Sequence, residues 1–213
     1  MHVLDTDRLV LRRLTLNDAE FIFHLVNDPS WLRFIGDKNV RDLDGARRYL
    51  REGPLDMYER FGFGMYRVEE RDGGTPIGMC GLIKRDTLPD ADVGYAFLPE
   101  ARGKGYAFEA AAAVLDHGRR VFGLKRILAI VSPDNASSIR VLEKAGMKFE
   151  RDLEIRPGDP VKVFEWVPGE KTRETEQRST CCAAQFPLNF SPGTVLAFSP
   201  VRPSFRRRIP DAM

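Results

Sequence analysis

In the stretch EARGKGYAFEA (residues 100–110) two glycines, Gly103 and Gly105, stand one residue apart at the entrance to an alanine-rich run. Glycine costs stability inside a helix and is used where a backbone takes a positive φ or comes very close to another group. Three readings fit such a pair. It can form an ordinary strand-to-helix turn. It can begin a dinucleotide fingerprint, although Phe108 replaces the third glycine of GxGxxG and the preceding strands read as a meander instead of a βαβ unit. It can also expose the backbone N–H groups of residues 103–107 at a helix N-terminus, where unpaired amides and the helix dipole wrap a pyrophosphate. Arg102 and Lys104 would then add positive charge. A P-loop is excluded because no GxxxxGK[ST] occurs.

Other residues have types suited to moving protons. Asp92 opens the stretch DVGYAF, and its carboxylate is either a proton acceptor or a solvated strand-end charge; Glu109 and Glu154 are further carboxylates of the same kind. Asn135-Ala136-Ser137-Ser138 begins another helical stretch. Asparagine there is a preferred N-cap, and the Ser138 hydroxyl is a poor acid. Three histidines and three cysteines, with Cys80 alone and Cys181-Cys182 adjacent, support neither a zinc site nor a disulfide framework.

These residues need elements to hold them. RLVLRRL (8–14) reads as a strand, and Thr15 with Asp18 begins a helix that ends at Asp28-Pro29. A second helix starts near Asp42 or Asp44 and breaks at Gly53-Pro54. GMYRVEE, a DGG turn, PIGMCGLIK and DVGYAFL are spaced as consecutive antiparallel strands. A helical pattern covers 105–117, RILAIVS (126–132) reads as a buried strand, and a helix covers about 136–145 with Gly146 as its C-terminal cap. MKFERDL and VKVFEWV supply two more strands. The fold class is therefore α+β, with a mixed, mostly antiparallel central sheet flanked by helices.

The 213 residues suit one domain (1–170) plus an extension. Residues 171–213 carry seven Lys+Arg against three Asp+Glu and five of the fourteen prolines, and read as a tail of low order. The first 170 carry 26 against 28 and show no basic face, so nucleic acid is not an expected partner. No apolar run approaches a membrane span or a signal peptide, which implies a cytoplasmic protein and no membrane partner.

Arg102-Gly103-Lys104-Gly105-Tyr106-Ala107 matches [Q/R]-x-x-G-x-[G/A], and in that setting the chain resembles the GNAT superfamily of N-acetyltransferases. DVGYAFLPEARGKGYAFEA and SPDNASSIRVLEKAGMKFE look like that family's two pattern blocks in the right order. With TDRLVLRRLTLNDAEFIFHLVNDP they resemble the subgroup typified by the ribosomal-protein alanine N-acetyltransferases, over about residues 5–168. The resemblance implies that acetyl-coenzyme A donates its acetyl group directly to an amine through a tetrahedral intermediate, without a covalent acyl-enzyme and without a metal. Arg102 to Ala107 become the pyrophosphate loop. The splayed backbone of Tyr95, Ala96, Phe97 and Leu98, with Asn135, becomes the binding surface for the pantetheine arm and carbonyl, and Asp92 a proton acceptor. Many relatives protonate the leaving thiolate with a tyrosine at the position of Leu142, which has no proton to give. The subgroup shows N-x-x-S instead, matched by Asn135 to Ser138, which implies a Ser138 near the coenzyme sulfur that relays a proton or orients the thiol. The connection corresponding to NDPSWLRFIGD walls the acceptor groove in relatives; its Trp31, Phe34 and Ile35 either line such a pocket or are buried against the sheet. The acceptor is expected to be a protein N-terminal α-amine or a small-molecule amine, with the slight acidity of the domain suiting a cationic one. The protein is expected to be a monomer or homodimer. The alternative is a catalytically silent acyl-coenzyme A-binding regulatory module.

Overall fold

The central sheet runs β1 (His2–Asp5), β2 (Leu9–Arg13), β3 (Met65–Glu70), β4 (Pro76–Ile83), β5 (Asp92–Phe97), β6 (Ile127–Val131), β8 (Asp159–Trp166), β7 (Lys148–Arg156) from edge to edge. This is seen in a computed structural model that describes residues 1–156 and 158–167. The tail 171–213, with its cysteines and prolines, lies outside the described residues. Every neighbouring pair is antiparallel except β5 and β6. That exception follows from α5 (Tyr106–Phe122), which carries the chain back across the sheet between them.

The two faces of the sheet are covered by different helices. On one, α1 (Ala19–Val26), α2 (Pro29–Phe34) and α3 (Leu43–Leu50) bury Ile22, Leu25, Trp31 and Leu50 with Met79 of β4. On the other, the 3.6-residue stripe Ala110, Ala111, Val114, Leu115 and Gly118 of α5 packs on Leu82 and Val93, beside Leu142 of α6 (Ala136–Lys144). Small alanines let α5 lie close to the strands. β4 lies mid-sheet and is buried over six consecutive residues, as an apolar run covered on both faces must be.

Three elements differ from the sequence expectation. Asp28-Pro29 ends α1 but also starts α2: Asp28 accepts from the Ser30 and Trp31 amides at 2.9 and 3.4 Å, and Pro29 fills the first helical position. Gly53-Pro54 does not break the helix. Residues Arg51–Leu55 widen into a π turn that accommodates the missing Pro54 N–H, and the chain runs on into α4 (Asp56–Phe61). The short edge strand β1, exposed at both ends, has too little alternation to be read in advance.

One buried ion cluster joins these layers. Asp18, 2% exposed, accepts from Arg12 at 2.6 Å and Arg67 at 2.7 Å, and from the Thr15 amide at 2.7 Å. Burial alone would raise its pKa; the hydrogen bonds outweigh that and hold it at about 2. Among the described residues no helix is long and apolar enough to cross a membrane.

Candidate active site

β5 and β6 share one register pair, Asp92–Leu128, and then part. The Leu98 amide donates to the Ile77 carbonyl at 2.9 Å, which fixes the alternation along β5. Residues 94, 96 and 98 turn their backbone groups to β4, whereas Tyr95 and Phe97 turn theirs into the gap. The expected four-residue binding surface thus narrows: Tyr95 and Phe97 offer amides, and those of Ala96 and Leu98 are committed to the sheet. The Phe97 carbonyl is occupied by Arg102 Nε at 2.9 Å.

At the open end of the gap the chain turns into α5. Gly103 and Gly105 have φ of 75° and 83°, so both glycines answer a left-handed backbone. A Cβ on Gly103 would meet nothing within 4 Å, and one on Gly105 only Arg8. The space beside the loop is therefore open. No side chain caps α5, and its first internal bond runs from the Glu109 amide to Gly105 at 3.1 Å. The amides of Tyr106, Ala107 and Phe108 precede any intrahelical acceptor, leaving donors at the positive end of a 17-residue helix.

Arg102 turns its charge away from that space. Its guanidinium pairs with Asp28 at 2.5 Å and donates to Ser30 Oγ at 2.9 Å, tying the loop to the start of α2. Burial works against the charge on Asp28, but the Arg102 and amide hydrogen bonds keep its carboxyl below the ordinary range. Lys104 is exposed on the loop. Arg8, from the β1–β2 turn, also reaches the loop, which its sequence position did not suggest, and is paired like Arg102. It donates to the Lys104 carbonyl at 3.0 Å, pairs with Glu109 at 2.6 Å and lies 4.7 Å above the Tyr106 ring. Glu109, a candidate proton acceptor by sequence, is held by Thr6 and Arg8 and so braces the loop. Glu154 is exposed near the β7–β8 turn.

At the N-terminus of α6, Asn135 Oδ1 accepts from the Ser138 amide at 3.1 Å, so asparagine is the N-cap. Its side-chain nitrogen has no hydrogen-bond partner among the described residues. The Tyr95 hydroxyl crosses from β5 to reach Ser138 Oγ at 2.8 Å and the Ser138 carbonyl at 3.1 Å. Burial pushes the Tyr95 phenol up, so it stays protonated and can only donate or accept hydrogen bonds at neutral pH. Tyr95 was singled out for its backbone; its side chain completing a hydroxyl pair with Ser138 could be seen only in three dimensions. Leu142 is buried and closes the packing behind them.

Asp92 marks the closed end of the gap and is not a solvated strand end. It is 1% exposed and accepts from Arg85 Nε at 2.9 Å. Burial raises its pKa, with Arg85 acting against the rise. Asp92 and Tyr95 are three residues apart on one strand and face opposite sides of the sheet. Near Arg85 lie Tyr49 of α3 and Lys38 of the α2–α3 loop, whose electrostatics both respond to it. These two line a 490 Å³ cleft with Asn39, Arg48 and Glu52. Trp31 is buried in the core, Phe34 is half-buried and Ile35 is 43% exposed. Arg33 pairs with Asp134 at 2.9 Å, so α2 is tied to the loops on both sides of the gap.

A family model described as an acetyltransferase (GNAT) domain matches residues 8–148. The uncharacterized N-acetyltransferase YoaA of Bacillus subtilis is 33% identical over 149 residues, 70% of this chain and 84% of its own. The spermidine N(1)-acetyltransferase of Escherichia coli is 25% identical over 144 residues, 67% of this chain and 74% of its own. The crystal structure of an acetyltransferase from Agrobacterium tumefaciens superposes with a TM-score of 0.66 at 26% identity, covering 76% of this chain and 92% of that one. A structure of RimL, a ribosomal L7/L12 α-N-protein acetyltransferase in complex with coenzyme A, gives 0.66 at 18% identity over 78% and 98%.

Proposed function

The chain belongs to the GNAT family of N-acetyltransferases, whose chemistry is acetyl transfer from acetyl-coenzyme A to an amine, and from that premise we propose that the β5–β6 gap holds the donor and the Asp92 corner receives the acceptor. The observation that carries this reading is the single register pair Asp92–Leu128, followed at once by two left-handed glycines at the start of a long helix. The fit to the coenzyme rests on chemistry: phosphates need donors without side chains in the way, and the uncapped start of α5 offers amides with open space beside Gly103.

Bound there, acetyl-coenzyme A supplies a thioester carbonyl open to attack. Backbone amides of residues 103–107 hold the pyrophosphate. Tyr95 and Phe97 amides hold the pantetheine arm and stabilise charge on the carbonyl oxygen. Asn135 offers its spare amide nitrogen to the same arm.

The acceptor is a primary amine, a protein N-terminal α-amine or a small molecule, and an ammonium loses two protons on becoming an amide. Asp92 takes one through an ordered water, since so buried a carboxylate makes no direct approach; its raised pKa brings it closer to the operating pH. The other ends on the coenzyme thiol. Ser138 relays it, accepting the nitrogen's proton on Oγ as the hydroxyl proton passes to sulfur, or only orients the sulfur, while Tyr95 donates a hydrogen bond to Ser138 Oγ throughout. This hydroxyl pair does the task that Leu142 has no proton for.

Calorimetric titration with coenzyme A, followed by mass spectrometry of an amine panel incubated with acetyl-coenzyme A, tests the reading. Micromolar binding and a product 42 Da heavier, the mass of an acetyl group replacing hydrogen, are expected on the order of ordinary turnover. Binding without product across the panel would leave only an acyl-coenzyme A-binding module.

A further inference from the structure

Charge is distributed unevenly around the Asp92 corner. Lys38, Arg48 and Arg156 have no carboxylate within ion-pair distance among the described residues, whereas Arg33 of α2, Arg41 of the α2–α3 loop and Arg47 of α3 each have one. Lys38 and Arg48 line the 490 Å³ cleft, and Arg85 and Arg156 approach Lys38 from the ends of β4 and β7. The carboxylates near these four cations are engaged or out of ion-pair reach of Lys38, Arg48 and Arg156: Glu52 lines the cleft, Asp92 is occupied by Arg85, Asp42 beside Arg48 accepts from the Gly45 amide, and Asp159 stands opposite Arg156 in the β7–β8 ladder. The slight acidity of the domain as a whole does not extend to this corner.

We infer that the acceptor carries an anionic group, a carboxylate or a phosphate, beside the amine that is acetylated, and that Lys38, Arg48 and Arg156 bind it. The inference rests on the placement of the acceptor at the Asp92 corner. A cluster of like charges is unfavourable until a ligand of opposite sign completes it, and such clusters in clefts mark binding sites. The cost is visible at Lys38. Partial burial of its ammonium, together with Arg85 and Arg156, lowers its pKa although the residue as a whole is exposed. Tyr49 adds a neutral donor to the same cleft: its hydroxyl has no protein partner among the described residues, and burial pushes its pKa up to about 12. A volume of 490 Å³ suits a small molecule. A polyamine would bring further ammonium groups against the four cations, so the substrate named for the spermidine acetyltransferase is disfavoured here.

The test uses the full chain saturated with coenzyme A, so that the pyrophosphate loop is filled and added anions report on the acceptor side. Acetylated products are titrated in matched pairs at constant ionic strength: N-acetylglycine against N-acetylglycinamide, N-acetylphosphoethanolamine against N-acetylethanolamine, with N1-acetylspermidine as the cationic member. The anionic member of at least one pair is expected to bind about tenfold tighter than its neutral partner, the scale of a few charge-assisted contacts. Lys38→Met and Arg156→Gln are each expected to shrink that advantage about threefold, as partly exposed charges do, without changing coenzyme affinity. A preference in the glycine pair alone identifies a carboxylate; one in the phosphoethanolamine pair alone identifies a phosphate. Equal or undetectable binding of both members in both pairs, or tighter binding of N1-acetylspermidine, overturns the inference. Failure of acetyl transfer to every amine would instead remove the transfer reading, because calorimetry of products needs no turnover.

Discussion

The two sides of the β5–β6 gap are built from different materials. The side proposed for the donor is mostly backbone: amides of Tyr95 and Phe97, two left-handed glycines and an uncapped helix end, braced from behind by Arg102–Asp28 and Arg8–Glu109. The side proposed for the acceptor is mostly side chain: Lys38, Tyr49, Arg85, Asp92 and Arg156, drawn from the α2–α3 loop, α3, the end of β4, the start of β5 and β7. On this proposal, backbone donors hold the phosphates and amide arm of one cosubstrate with a geometry that substitution can scarcely retune. Charged and phenolic side chains can be exchanged singly, so this half of the site can take a new acceptor while the donor half stays as it is.

If the donor side is backbone-built, Gly103→Val with Gly105→Val should produce the largest effect. Loss of two charge-assisted hydrogen bonds, about 1.5–3 kcal/mol each, predicts at least a 100-fold weaker coenzyme affinity by calorimetry in a protein that still shows a cooperative thermal transition. A folded double variant with unchanged affinity would remove the pyrophosphate loop from this position.

The acceptor side answers to Asp92. Asp92→Asn is expected to lower kcat by about 100-fold, the lower range for a lost general base, while coenzyme affinity holds. The carboxylate form prevails only above a pKa that burial has raised, so kcat/KM should climb with pH through a limb displaced upward from the ordinary aspartate value. Arg85→Gln removes the charge opposing that rise and should push the limb higher; an unmoved limb would assign it to another group.

A control away from both sides is Asp18→Asn. Asp18 has a depressed pKa of about 2, so its contribution is present above the unfolded value and is lost as pH falls through the range from about 4 to 2. The variant should lose about 2 kcal/mol of stability near neutral pH and show a shallower acid-denaturation limb, by urea titration at a series of pH values. Its coenzyme and acceptor affinities should match the parent.

The smallest effects fall where the two sides meet. Ser138→Ala and Tyr95→Phe each remove one member of a hydroxyl pair, so turnover should fall by up to about tenfold with coenzyme affinity preserved. If the pair acts as a unit, the double variant should be little slower than either single one. Multiplied losses would mean that the two hydroxyls act separately.

What the sequence alone determined was local. Left-handed backbone at 103 and 105 demands glycine, the 110/111/114/115/118 stripe demands a helix on a sheet, and Asn135 suits a helix start; each is a constraint between near neighbours and leaves a mark in residue type. The meander and the closing strands were legible for the same reason. Local signals misled at Gly53-Pro54, where a π turn absorbed a break, and at Asp28-Pro29, where a stop was also a start. Tertiary structure alone decided which amides face the gap, because that depends on the Leu98–Ile77 bond to another strand. It also decided that Arg102 turns away from the glycine loop to Asp28, 74 residues distant, that Asp92 is buried against Arg85, that the Tyr95 hydroxyl meets Ser138, and that cations without an ion-pair partner line the cleft beside Tyr49. Nothing local distinguishes an arginine or lysine that will be neutralised from one that will not. Hydrogen bonds and charges act through space, and only the fold sets which of them come within reach.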